Sequence, residues 1–409
     1  MNRSMNSCLI RQSIVDRDEN VVAYKLLVRD GTRHLICRIE EPSSANEAAA
    51  NQNHLTGLHR ITDGQKCFIE FNRSLLLENA YTSLDSESTV VEVSESEQFD
   101  AELVDACRTV KKKGYALALD DYVDDPWLQP LLEYADLLKV EFPILTAEQH
   151  RRIIECAGKY GFVAMAKRID TQEDFAAARE LGYTYFQGYY YCRPRSKAIS
   201  GIPTSQLHYL RLLQVVNAAE FRIDAIEELI KNELSLTVKL LQYLNSPSFA
   251  LRSTVSSIRQ AVTLLGQRPL QKWVSMITVS QLGQSKPLVL LNASLARAKF
   301  LEVIGKQVFT DDIAGDCFLV GMLSLLDAIL DVPMAEILCN LALAPSIVAP
   351  LLGSESPVNQ LLHLTQALDE GEWRLISALA SQMKIDEDSV FAAYEDAIVW
   401  ATDVTENIK

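Results

Sequence analysis

Between residues 60 and 195 the chain alternates short apolar runs with amphipathic stretches, and the runs share a way of ending. "CFIEFN" stops on Asn72, "TVVEV" carries Glu92, and "YALALDD" stops on Asp120 and Asp121. "ADLLKVE" presents Lys139, "FVAMAK" stops on Lys167, and "YTYFQG" carries Gln187 near its end. Strand and helix in alternation predict a parallel sheet with crossover helices. In a closed β/α barrel the C-terminal ends of all strands open on one face, so these side chains are expected to meet at a single mouth. One polar strand end alone is as readily a cap or a loop residue. Six consecutive runs ending this way predict a site.

The stretches between the runs read as helices. "SEQFDAELVDACRTVKKKG" sets Phe99, Leu103, Ala106 and Val110 at three- and four-residue spacing. "TAEQHRRIIECAGKYG" and "TQEDFAAARELG" each open on Thr and close on Gly, the residue types that cap helix starts and stops. The Lys run in "VKKKG" (110–114) is expected to close its helix, where cations complement the dipole.

A chain of 409 residues exceeds one ordinary core, and two domains are expected. "CRPRSKAISGIP" (192–203) has the composition of a boundary. Beyond it the patterning is helical: "PTSQLHYLRLLQVVN", "ELSLTVKLLQYLNSPSF", and "VSSIRQAVTLLGQRPLQKWVSMITV", the last broken at Gly266 to Pro269. "EDSVFAAYEDAIVWATDV" reads as a closing helix. The expected fold is therefore α/β plus all-α: a TIM-like barrel over residues 1–195, then a helical bundle over 203–395.

Charge and composition exclude several classes. A net charge of -15 lacks the basic footprint that nucleic-acid binding needs. No run is expected to reach the roughly 18 apolar residues of a membrane span, and "MNRSMNSCLI" leads into polar "RQS", so a cytoplasmic protein without a membrane partner is expected. Eight scattered cysteines with no C-x-x-C pair predict reduced thiols rather than a disulfide framework or a zinc site.

Seven ordered segments, "RQSIVDRDENVVAYKLLVRDG", "FIEFN", "VVEVSES", "LALDDY", "ADLLKVE", "AKRIDT" and "FQGYYYCRP", resemble the EAL domain, the bacterial cyclic di-GMP phosphodiesterase barrel. The resemblance implies a two-cation site in active members, built from a glutamate in E-x-L, an asparagine, a second glutamate and a D-D pair, with a further glutamate activating water. Asn72, Glu92, Asp120 and Asp121 match the metal-site positions, and Arg29, Lys139 and Gln187 match positions that would face a nucleotide. Lys25 stands where E-x-L has its glutamate, and Lys167 where the water-activating glutamate belongs. Glu141 replaces an aspartate, "DDYVDDPW" replaces the D-D-F-G-T-G loop, and the segment from Arg29 to Cys67 is short. An ammonium group can neutralise carboxylates but cannot act as the Lewis acid of a two-metal hydrolase. Lys25, helped by Lys167, is thus expected to supply tethered charge where metal would bind, with no metal or other cofactor and no catalytic residue.

In the second half, "LLQYLNSPSF" and "VSSIRQAVTLLG" are similar to the HDOD domain, a helical relative of HD-type metal phosphohydrolases. Ser324 and Leu325 occupy the H-D positions of "GDCFLVGMLSLLDAIL", and His208 and His363 are expected to be partly buried helix residues rather than ligands. With "SLLDAILDVPM" and the domain order, the whole resembles two-domain EAL and HDOD signalling proteins of the YuxH type. Three functions follow from the resemblance. The first is a non-catalytic scaffold acting through protein partners of the HDOD domain, tied to motility or surface attachment. The second is a receptor that binds cyclic di-GMP, weakly, without hydrolysis; the third is an active phosphodiesterase, which the two charge reversals oppose.

Overall fold

A computed structural model describes residues 9–29, 32–33, 58–94, 100–120, 129–194, 204–218, 221–231, 234–244, 255, 257–339, 341 and 343–408. The chain divides into two units: residues 1–193 with 366–402, and residues 194–365 with 403–409.

The first unit is built on a closed barrel whose strands follow one another in order. They are β1 (Leu9–Val15), β2 (Val21–Val28), β3 (Lys66–Glu70), β4 (Thr89–Ser94), β5 (Ala116–Asp120), β6 (Leu137–Glu141), β7 (Val163–Lys167) and β8 (Tyr185–Gln187). From β2 to β8 all neighbours are parallel, as the alternation predicts. β1 departs from that rule and runs antiparallel to both β2 and β8. Its link to β2 is too short for a crossover, which takes a dozen or more residues, and so makes a hairpin. Asp16 shapes the turn: its Oδ1 accepts from the backbone N–H of Asp18 and of Asn20, each at 2.9 Å.

The barrel-side helices are α1 (Arg73–Leu77), α2 (Ala101–Lys112), α3 (Gln129–Leu132), α4 (Ala147–Tyr160) and α5 (Gln172–Leu181). Their ends follow local chemistry. Thr146 and Gln149 form a capping box at the start of α4, Thr171 caps α5, and Gly161 and Gly182 close the two helices in the left-handed conformation. The Lys run closes α2 as expected, and Lys111 Nζ reaches Asp136 at 2.5 Å.

The second unit is helical: α6 (Thr204–Val216), α7 (Ile223–Lys231), α8 (Leu234–Leu244), α9 (Ile258–Leu265), α10 (Gln267–Leu282), α11 (Leu288–Val308), α12 (Asp311–Leu323), α13 (Leu326–Leu330), α14 (Met334–Cys339) and α15 (Pro345–Leu351). Its core holds Trp273, Val274 and Ile277 of α10 against Phe300 and Leu301 of α11 and Phe318 and Leu319 of α12 in the buried set. α11 and α12 approach closely because Gly321 has no side chain: a Cβ there would lie 2.6 Å from the Cα of Ala298.

One apolar stretch corrects the expectation from sequence. Residues Ile313–Leu330 have the length and composition of a membrane span. Most of that stretch is buried, and it is broken at Ser324 and Leu325 between α12 and α13, so its apolar surface goes into the helical core.

The final helices are α16 (Pro357–Glu370), α17 (Trp373–Met383) and α18 (Glu387–Ile408). From sequence the helical domain extends to residue 395; in the structure residues 366–402 instead pack with the barrel. The reason is local. Gln12 Nε2 donates to the Glu370 carbonyl at 3.1 Å, and Gly371 lies against Leu27. Arg29 is held by Glu387 and by Ser377 Oγ at 3.1 Å, with its guanidinium over the Phe391 ring at 5.8 Å.

Six cysteines fall among the described residues, and all six are free thiols.

Candidate functional site

Strand residues two apart share a face, and this single rule builds the site. Near the closed end of the barrel, Ile14, Ala23, Phe68, Val90, Ala118, Leu137 and Met165 form one apolar interior cluster, with Tyr185 packed against it. Stepping two residues toward the mouth on each strand turns every one of these positions polar. Ile14 gives way to Gln12, Ala23 to Lys25, Phe68 to Glu70, Val90 to Glu92, and Ala118 to Asp120. Leu137 gives way to Lys139, Met165 to Lys167, and Tyr185 to Gln187. A complete layer of the barrel interior is therefore charged or amide-bearing above an apolar floor.

Three ammonium groups meet three carboxylates in that layer. Lys25 Nζ lies 3.0 Å from Glu92 Oε2, 3.0 Å from Asp120 Oδ2 and 3.8 Å from Glu70 Oε2. Lys139 pairs with Glu92 and lies 3.4 Å from Asp120 Oδ2, while Lys167 Nζ holds the other Asp120 oxygen at 2.6 Å. Lys139 and Glu92 are fully buried, at 0% exposure, so their charges face only each other and the rest of the layer.

The electrostatics follow from that crowding. Burial favours the neutral form of Asp120, yet Lys139, Lys25 and Lys167 together hold its carboxyl far below the usual range. Burial likewise acts to lower the pKa of Lys25, but Glu92 and Asp120 outweigh it and keep the group above an ordinary lysine. At Glu70 the balance tips the other way: burial raises the pKa more than Lys25 lowers it.

The resemblance to EAL domains implies a pair of divalent cations here, and among the described residues the donor set does not fit them. Mg²⁺ or Mn²⁺ wants an oxygen shell, whereas each of Glu70, Glu92 and Asp120 already has an ammonium group within 4 Å. Three side chains of formal charge +1 thus stand against three of formal charge -1 in this layer.

The structure brings Lys25, Glu92, Asp120, Lys139, Lys167 and Gln187 together, and adds Glu70 and Gln12. Asn72, matched from sequence to a metal-site position, caps a helix. It is exposed, and its side chain accepts from Leu75 N at 3.1 Å, capping α1. Arg29, expected to face a nucleotide, is engaged by α17 and α18 as described above. Gln187 Nε2 donates to Gln12 Oε1 at 2.7 Å; Gly188 follows because a Cβ there would fall 2.0 Å from the Ile169 carbonyl oxygen. Asp121 and most of "DDYVDDPW" lie outside the described residues, as does most of the short segment after Arg29. Glu70 was legible in principle, since it stands two residues after Phe68 on the same face of β3.

Above the layer opens a cavity of about 410 Å³, lined by Lys25, Lys167, Arg168 and Arg193 and by Glu370 and Glu372 of the C-terminal segment. In the helical unit, the positions an HD pair would take are Ser324, whose Oγ donates to the Gly321 carbonyl at 2.8 Å, and Leu325, which is buried. His208 is half-buried as expected, but His363 is exposed, because it falls on the solvent side of α16.

A barrel with a charged interior layer, joined to a helical unit with apolar and hydroxyl side chains at its H-D positions, defines a two-part protein of the signalling type anticipated from sequence. The HDOD domain family matches residues 202–338. The uncharacterized protein YuxH of Bacillus subtilis is 30% identical over 404 residues, 97% of this chain and 98% of that protein, and the chain belongs to its family. The cyclic di-GMP phosphodiesterase CdgJ of Vibrio cholerae is 28% identical, covering 96% of this chain and 92% of that protein. Among solved structures, the EAL domain of Mycobacterium smegmatis DcpA aligns at 18% identity over 45% of this chain and 91% of that one, with a TM-score of 0.35.

Proposed function

We propose that this chain is a non-catalytic signalling protein of cyclic di-GMP pathways, cytoplasmic, acting through protein partners of its helical domain and tied to motility or surface attachment. The observation that carries the reading is the position of Lys25 Nζ, 3.0 Å from both Glu92 and Asp120. A metal pair that activates water and steadies the leaving oxygen needs those carboxylates as ligands. Here they are neutralised by the chain itself, so the barrel keeps its shape without the chemistry.

The link to cyclic di-GMP comes from CdgJ, whose name states that activity. What separates this chain from a hydrolase, on this reading, is the charge reversal at positions 25 and 167. The direct test is turnover of cyclic di-GMP with Mg²⁺ and with Mn²⁺, for the native chain and for the double variant Lys25→Glu, Lys167→Glu. The native chain should show none. Turnover by the native chain would refute the reading; turnover by the double variant alone would show that only the charges were lost.

A second reading, a receptor that binds cyclic di-GMP without cleaving it, has one observation in its favour. Lys25, Lys167, Arg168 and Arg193 line the mouth cavity, and cationic side chains suit phosphate. Against it, Glu370 and Glu372 share the same wall, and the cavity is at the low end of the roughly 300–1,000 Å³ typical of small-molecule sites. Calorimetric titration with cyclic di-GMP separates the two readings.

A further inference from the structure

The two glutamates in the wall of the mouth cavity come from far along the chain. Glu370 ends α16 and Glu372 precedes α17, so they flank the elbow between these helices, and both side chains are exposed. The elbow is latched to the barrel. Gln12 Nε2 donates to the carbonyls of Asp369 at 3.4 Å and Glu370 at 3.1 Å, while Gln12 Oε1 accepts from Gln187 at 2.7 Å. Gly371, at φ 75°, lies so close to Leu27 that a Cβ there would fall 2.5 Å from Leu27 Cδ1. Beyond the elbow, Arg29 holds Glu387 and Ser377. A segment clamped in this way carries its charges to a set place.

What those charges do follows from the signs around the cavity. Lys25 and Lys167 line it, but their ammonium groups are held by Glu92 and Asp120. Among the described lining residues, that leaves Arg168 and Arg193 against Glu141, Asp170, Glu370 and Glu372, two positive charges against four negative. Without the elbow glutamates the two signs would balance. Crowding shows at Glu370, where burial and the like charges of Asp369, Asp170 and Glu372 raise the carboxyl pKa while Arg193 acts to lower it. Arg193 is thus the cation of this wall that the elbow screens.

We propose that the elbow at Glu370 and Glu372 is an autoinhibitory contact, which keeps phosphate-bearing anions out of the barrel mouth by holding two carboxylates beside Arg193. The block sits on a segment that the barrel strands do not include. Its latch relies on part-exposed hydrogen bonds, each of modest worth, which suits a contact that can be released. The choice of anion rests on the receptor reading above; the loss of catalysis plays no part in it.

The test uses the full chain at about pH 8, where both carboxyls carry charge, and calorimetric titration with pyrophosphate and, separately, with cyclic di-GMP. The double variant Glu370→Gln, Glu372→Gln removes the charges and leaves the elbow in place, since both side chains are exposed. Its affinity for pyrophosphate should exceed that of the native chain by about tenfold. Adding Arg193→Gln should cancel the gain, and salt at about 0.5 M should shrink it. An absent gain, a gain that survives Arg193→Gln, or one insensitive to salt would overturn the proposal. The cyclic di-GMP arm judges the receptor reading alone: a double variant that gains pyrophosphate binding but ignores the dinucleotide upholds the elbow's role and refutes the receptor.

Discussion

Lys139 has no contact with solvent, and neither has Glu92. Two such charges in a barrel interior persist only because each is paired, for the desolvation of an unpaired ion costs several kcal/mol. Lys139→Met should therefore destabilise the fold by about 3–5 kcal/mol, as seen for broken buried pairs, measured by urea unfolding. Replacing Glu92 by Gln in the same chain should recover part of that loss, since it removes the carboxylate that loses one of its two ammonium partners. The pKa directions give a pH profile. Asp120 lies far below its ordinary value, so its contribution is present above about pH 3.9 and is lost as pH falls below it. Lys25 lies above an ordinary lysine; its contribution is present below about pH 10.4 and is lost as pH rises through and beyond that point. Glu70, raised by burial, works against Asp120 and softens the acid limb. A melting temperature recorded against pH should thus be flat at neutrality and fall at both extremes; a maximum displaced below pH 4 would contradict the pairing.

The elements were legible where local chemistry decides them. Capping residues fixed α4 and α5, and the polar ends of β4 to β8 marked the mouth, so Glu92, Asp120, Lys139 and Lys167 could be placed before any geometry was known, and Lys25 through its match to the E-x-L position. Glu70 escaped because attention to the last polar residue of each run picks Asn72, one step higher, where the helix cap and not the barrel interior claims the side chain. The antiparallel β1 escaped because its sequence carries no directional signal; only the short turn at Asp16 sets it. The fate of the C-terminal helices was not legible either, since an amphipathic helix does not say which apolar surface it meets. Arg29 fastens α17 and α18 to the barrel, and Glu387→Ala should loosen them. The pair is part-exposed and worth about 0–1 kcal/mol, so global stability should barely move while amide exchange across residues 373–391 accelerates. Unchanged exchange there would show that Arg29 is not the fastening.

At the scale of the molecule, residues 366–402 make the barrel unit discontinuous in sequence. A chain ended at Thr365 would lose the cover of Leu27 and the partners of Arg29 and Gln12. Its melting temperature should fall, and a chain equally stable without those residues would count against the assignment. The relation to CdgJ sharpens the functional question, because a near full-length relative bears the name of a phosphodiesterase while this chain sets ammonium groups against the carboxylates. Self-neutralisation of the charged layer is the claim on which the functional reading stands. Manganese titration of the native chain followed by electron paramagnetic resonance tests it most directly. The account predicts that added Mn²⁺ stays in the free signal, with stoichiometric uptake only in the Lys25→Glu, Lys167→Glu variant; tight uptake of two ions per native chain would contradict it.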